Sequence, residues 1–299
     1  MATDLSPFDL TATAAYAGWR QRKLDTAPRR LEDIVVELDD PRRLTKAQRQ
    51  RLVEITDMAN MAIYVGKTGR DPDKEIPRRL GDQLGLHSLD SHWLADDDGI
   101  SPLSVRGAAE RGERREFIPY TDKPIRWHTD GYYNPPERTV RGLLLHCVES
   151  AASGGDNRLL DHEIVYLLLR DENPDHIRAL SMPDAMTIPA RTDPGMSGGV
   201  ARAPQPGPVF SVDAQGFLHM RYTARTKSIF WHQDAATQAA VAALERILAA
   251  PTPWTLHGRL EPGMGLVCNN VLHDRSGFTE TPQRRRLLYR ARYHERVGD

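Results

Sequence analysis

Apolar positions along the chain fall into three textures, each predicting a different kind of element. Recurrence at three and four residues marks helices: Leu52, Ile55, Ala59 and Ala62 predict one over about 46–64, with Thr45 placed to cap its start. Asp161 opens a second to about residue 172, with Ile164, Leu167 and Leu168 on one face, and Pro174 opens a short third. Asp234 caps a fourth to about Ala249, where Val241, Leu244, Ile247 and Leu248 share a face. Short β-type runs come between them: Ser104-Val105, Glu116 to Pro119, Ile125 to His128, Val209 to Val212 with Phe217 to Tyr222 as a hairpin, and Gly263 to Asn270. The run Gly142 to Val148 is almost continuously apolar, which predicts a strand buried on both sides. Near the end, Arg286, Leu288, Arg290 and Arg292 alternate with Leu287, Tyr289, Ala291 and Tyr293.

The remaining stretches read as connections. Residues 1–45 are polar and proline-punctuated, predicting loops with one or two short elements, and the charged segment 67–85 leads into a turn-rich approach over 81–90. Ala151 to Asn157 contains a Gly154-Gly155 turn, and the Pro- and Gly-rich stretch 183–208 is long enough to be a lid over a site. No linker or repeat interrupts the pattern, so one domain is expected over 1–299, with 1–84 a helical or irregular lead-in and 85–299 the core. Many short strands with a few helices outside predict a mainly β, α+β fold of double-stranded β-helix (jelly-roll) type.

Charge then narrows the partners. The chain has 299 residues with 40 Lys and Arg against 41 Asp and Glu, a net charge of -1, so nothing favours nucleic acid. A mean hydropathy of -0.55 leaves no room for a membrane span, and a soluble, cytoplasmic protein is expected. The two cysteines, Cys147 and Cys268, lie in apolar strand-like runs and predict core thiols rather than a disulfide framework.

The chemistry gathers around Trp127-His128-Thr129-Asp130 and the distant His273. On an extended strand His128 and Asp130 leave the same face, and with His273 they form a ligand set of two imidazoles and one carboxylate. That set suits a non-haem Fe(II) oxygenase, because the remaining coordination positions stay open for dioxygen and a cosubstrate. A His-x-Asp triplet alone is common by chance, so the weight rests on its company. Arg286, Arg290 and Arg292 share one face of the last strand and cannot all be buried without partners; a guanidinium beside a metal would call for a carboxylate, which it grips through two parallel hydrogen bonds. Arg284 and Arg285 read as a solvated rim.

His128-Thr129-Asp130, the Gly154-Gly155-Asp156 turn, His273 and the run Pro282 to Arg290 together resemble the Fe(II)/2-oxoglutarate-dependent dioxygenases of the taurine catabolism dioxygenase family. Asn270 to Arg275 also resembles the His-Gly-Arg region of the related gamma-butyrobetaine hydroxylases. The resemblance covers about residues 85–295 and implies that His128, Asp130 and His273 hold Fe(II), with 2-oxoglutarate and O2 as cosubstrates. It further implies that Arg286 grips the distal carboxylate of 2-oxoglutarate and that Arg290 meets an anionic substrate. Asn157 stands where the family usually has Thr, and its amide can donate the same hydrogen bond. Asp130 sets the chain apart from halogenating relatives, which lack this carboxylate, so the implied outcome is hydroxylation or another hydrogen abstraction, with release of succinate and CO2. Tyr132, Tyr133, Asn134 and Arg225 lie where a small polar, anionic substrate would sit. The alternative is a catalytically silent iron and 2-oxoglutarate sensor on the same barrel; a nucleotide site is disfavoured by the absence of a phosphate-cradling glycine loop. Relatives of this kind often pair, so a homo-oligomer is among the expectations.

Overall fold

The computed structural model describes residues 6–90, 98–105, 118–192, 200–225 and 229–298. The chain forms two compact units, one from residues 28–126, 140–159 and 255–299, the other from residues 1–27, 127–139 and 160–254. Both are mixtures of helix with short strands, and among the described residues no helix is long and apolar enough to cross a membrane.

The first unit is centred on a six-stranded sheet in the order Val35–Leu38, Met61–Gly66, Met264–Cys268, Gly142–Glu149, Leu287–Tyr293 and Ser101–Leu103. The first pair is parallel and the others are antiparallel. The run read as a doubly buried strand is one, buried at every position up to Val148. Register places Val35, Ile63, Leu266, Leu145, Arg290 and Ser101 opposite one another in succession, and residues paired in this way put their side chains on one face of the sheet. On the other face Tyr64 and His146 both lie opposite Gly265. A Cβ at Gly265 would come within 2.3 Å of the Tyr64 ring and of the Leu145 carbonyl, so only glycine leaves room there. The Tyr64 hydroxyl and His146 Nδ1 are hydrogen-bonded at 2.9 Å with the rings parallel, which makes His146 a core residue facing away from Leu145 and Arg290. A four-stranded sheet runs in the order Leu256–Gly258, Asn157–Leu160, Leu272–Arg275 and Ile125–His128.

In the second unit the helices start where the sequence placed their caps. Asp161 accepts from Glu163 N to open His162–Glu172, Asn173 accepts from Asp175 N ahead of Pro174–Leu180, and Asp234 accepts from Thr237 N to open Ala235–Ala249. The predicted hairpin pairs Phe210–Val212 with Leu218–Met220. An unpredicted helix, Thr13–Thr26, docks through buried Lys23, whose ammonium lies 2.5 Å from both Asp161 and Glu163. Phe8, Trp19, Tyr166 and Phe210 pack edge to face around it.

Several boundaries differ from expectation. The helix predicted to about residue 64 is Lys46–Ala59: Thr45 and Gln48 form the capping box, Asn60 takes a left-handed conformation (φ 57°), and Met61 starts a strand. The charged stretch 67–85 contains the helix Glu75–Gln83, strand structure falls at Ser101–Leu103 rather than Ser104-Val105, and Ile118–Tyr120 is a 3₁₀ turn; Glu116 and Phe117 lie outside the described residues. The stretch 183–208 is not a plain loop: Met186–Ile188 pairs with Gln205–Gly207 and Phe230–Trp231, and Arg191–Thr192 pairs with Val200–Arg202.

Candidate metal centre

The strand Ile125–His128 carries the first ligand at its last residue, with Trp127 buried behind it and its indole N–H donating to the Leu248 carbonyl at 3.1 Å. Asp130 is not on that strand. Thr129 N donates to the Tyr222 carbonyl at 2.9 Å and Thr129 Oγ1 accepts from Tyr222 N at 3.1 Å, after which Gly131, at φ 68°, turns the chain. The carboxylate is therefore positioned by a turn held on the 222 segment, not by the two-residue period of an extended strand.

His273 lies in Leu272–Arg275, the strand next to Ile125–His128 in the sheet order. Its Nδ1 is 3.0 Å from the Val271 carbonyl; donation there fixes the ring and makes Nε2 the atom able to ligate. The neighbouring asparagines do not take this role. Asn269 bonds Asn60 and Val297 N, while Asn270 bonds the Val140 carbonyl. Asp274 is held by the backbone N–H and guanidinium of Arg158.

One potential ligand atom from each of His128, Asp130 and His273 lies within 4.8 Å of the other two. A first-row divalent ion bonded at about 2.0–2.2 Å separates its ligand atoms by less than that, so the spacing accommodates one ion. The donor set fits Fe(II) with positions to spare.

Two cavities lie in the first unit, and His273 lines one of them. One is walled by Ile63, Leu145 and Leu266, with Asn157, Arg259 and His273 around it. The other is lined by Gly154, Gly155, Asn157, Arg259, Arg286 and Leu288. Asn157 and Arg259 border both, and Asn157 also donates its amide to the Asp274 carbonyl at 2.8 Å, tying the glycine turn to the strand of His273. Arg286 is 6% exposed and makes no ion pair among the described residues; its guanidinium lies 5.1 Å from the Phe278 ring centre. Glu280 accepts from its backbone N–H rather than from the guanidinium. Burial pushes the Arg286 pKa down to about 10, so it stays cationic at neutral pH. Its neighbour Arg292 is equally buried but lies 2.5 Å from Asp90. Arg290 stands between them, on the face of Leu145.

The proposed substrate contacts fare differently from one another. Tyr132 and Tyr133 are partly buried, with their rings edge to face at 5.2 Å, and the Tyr132 hydroxyl interacts with Thr223 and Arg225. Asn134 closes its own turn, with its amide on the Arg138 carbonyl at 2.9 Å. Two residues escaped the sequence reading. Arg259 carries no local signal, since it simply follows the short strand Leu256–Gly258. Arg202 was hidden in the stretch taken for a loop, where the alternating run Val200-Ala201-Arg202 was the available clue.

A family profile described as "Taurine catabolism dioxygenase TauD, TfdA family" matches residues 32–292. A uridine-5'-phosphate dioxygenase from Amycolatopsis sp is 32% identical over 174 residues, covering 56% of this chain and 60% of that protein. One of the same name from Streptomyces sp is 30% identical over 193 residues, covering 63% and 68%. The match to the Amycolatopsis protein thus spans less than two thirds of its length. Among solved structures, an asparagine oxygenase in complex with Fe(II), 2S,3S-3-hydroxyasparagine and succinate shares the fold at a TM-score of 0.56 and 13% identity, covering 89% of this chain and 94% of that one.

Proposed function

The chain belongs to the taurine catabolism dioxygenase family, and from that premise we propose that it is an Fe(II)- and 2-oxoglutarate-dependent oxygenase of jelly-roll architecture acting on a small anionic substrate. The observation that carries this reading is the convergence of His128, Asp130 and His273, supported by a buried guanidinium nearby in the fold that lacks an acid of its own.

In this reading His128, Asp130 and His273 hold the metal, Arg286 takes the distal carboxylate of 2-oxoglutarate through paired hydrogen bonds, and Asn157 lines the path between. When bound, iron with 2-oxoglutarate and O2 supplies the oxidising power to break a substrate C–H bond, with succinate and CO2 as coproducts. The chain's own part is to orient and exclude water: Val271 fixes the ring of His273, and Ile63, Leu145 and Leu266 present an apolar wall. Arg290, Tyr132, Tyr133 and Arg225 are the candidates for holding substrate. The name of the two relatives makes a nucleoside 5'-monophosphate the first substrate class to test.

Anaerobic addition of Fe(II) and then 2-oxoglutarate to the purified protein is expected to give a weak visible charge-transfer band, and admission of air slow succinate formation. Asp130→Ala should lose both while keeping its far-ultraviolet circular dichroism. A wild-type protein without the band, or an Asp130→Ala variant that retains it, would refute the assignment.

A further inference from the structure

We propose that Arg202 and Arg225, with the hydroxyl of Tyr132, form the subsite that holds the phosphate of a nucleoside 5'-monophosphate beside His128 and Asp130; this rests on the oxygenase reading above. All of these residues belong to the second unit. The segment carrying His128 and Asp130 lies along residues 222–225: Ala224 N donates to the Trp127 carbonyl at 2.8 Å, and His128 pairs with Thr223. Arg225 follows two residues later, and the Tyr132 hydroxyl reaches both Thr223 and Arg225. From the strand Val200–Arg202, which pairs with Arg191–Thr192, the Arg202 guanidinium stands 5.5 Å from the centre of the Tyr133 ring, which itself abuts Tyr132.

The charges of the unit are held in different ways, and buried Arg170 donates to the carbonyls of Pro7 and Asp9. Arg20, Arg178 and Arg246 pair with Asp171, Asp175 and Glu172. Arg202, Arg221 and Arg225 pair with no carboxylate among the described residues. Arg221 is anchored by three carbonyls, donating to Tyr132 at 2.7 Å, Met186 at 3.0 Å and Gln205 at 2.7 Å, so it contributes fixed positive charge rather than a movable hand. Burial and its neighbour Arg202 push the Arg221 pKa down to about 10, and burial lowers that of Arg202 as well. Arg202 and Arg221 are half-buried like charges within each other's field, which is costly unless an anion joins them, whereas Arg225 is exposed. A dianion suits two guanidiniums and a phenol better than a single carboxylate would, because planar guanidinium forks match phosphate oxygens in pairs; Arg202 spends one N–H on the Pro189 carbonyl at 2.9 Å and has others to offer.

The test compares uridine, cytidine and adenosine 5'-monophosphates with their parent nucleosides, by calorimetric binding to wild-type, Arg202→Ala and Arg225→Ala proteins carrying Fe(II) and 2-oxoglutarate without O2. At least one monophosphate should bind the wild type roughly tenfold or more tighter than its nucleoside, each variant should lose most of that preference, and the 2-oxoglutarate titration should be unchanged. Equal binding of every monophosphate and its nucleoside, or a preference that survives in both variants, would overturn the proposal. Repeating the titrations on metal-free protein separates the two ideas: a phosphate preference there, in a chain that shows no iron and 2-oxoglutarate band, would sink the oxygenase reading alone.

Discussion

His146 shows how much one position can decide. It is fully buried, shares a hydrogen bond between Nδ1 and the Tyr64 hydroxyl, and is pushed by burial down to a pKa of about 4. In the unfolded chain the same imidazole titrates near its ordinary value, so between about pH 6.5 and pH 4 the unfolded state binds a proton that the folded state refuses. Stability from this residue is therefore complete above that window and falls as pH drops through it, by about 3 kcal/mol in total. Urea denaturation at pH 7 and pH 4.5 should show this loss in the wild type and a smaller one in His146→Gln. Residue type and spacing made His128, Asp130 and His273 legible as a ligand set, because few chemistries need those groups together. What stayed hidden was how each is held: the turn at Gly131 that presents Asp130 and the Val271 carbonyl behind His273 depend on backbone geometry, and that Arg286 makes no ion pair among the described residues depends on the packing of distant segments.

Among elements, helices with side-chain caps and strands with a distinct apolar run were readable, whereas short strands completed only by pairing, such as Met186–Ile188 and Val200–Arg202, were not. Asp161, Pro174 and Asp234 announce their helices through local hydrogen-bond chemistry. Thr13–Thr26 has no side-chain cap and depends on Lys23 reaching Asp161 and Glu163, which no local pattern reveals. Met61 to Val65 is apolar throughout, so periodicity could not separate the end of a helix from the start of a strand; Asn60 in the left-handed region decides it. The strand Met264–Cys268 depends on a glycine in turn. Gly265→Ala would drive a methyl into the Leu145 carbonyl and the Tyr64 ring, and should cost about 1–3 kcal/mol, read as a lower denaturant midpoint. An unchanged midpoint would mean that the Tyr64–His146 stack is looser than its geometry implies.

For the molecule as a whole, the question is what a buried cation without an acid does to the ligand-free state. Arg286 and Arg292 sit six residues apart, both buried, and of the two only Arg292 forms an ion pair among the described residues. Under the oxygenase reading, a carboxylate from 2-oxoglutarate supplies what Arg286 lacks, and a ligand that binds only the folded state stabilises it by about 2.7 kcal/mol at a hundredfold excess over Kd. Thermal unfolding of the Fe(II)-loaded protein should then shift upward by roughly 5 °C or more on saturation with 2-oxoglutarate. Arg286→Ala should keep the increment due to metal and lose most of the increment due to the keto acid; an equal shift in both proteins would remove Arg286 from the binding role. On that reading the polypeptide leaves part of its own cohesion to be completed by a small metabolite, and scarcity of that metabolite would shorten the lifetime of the protein as well as slow its turnover.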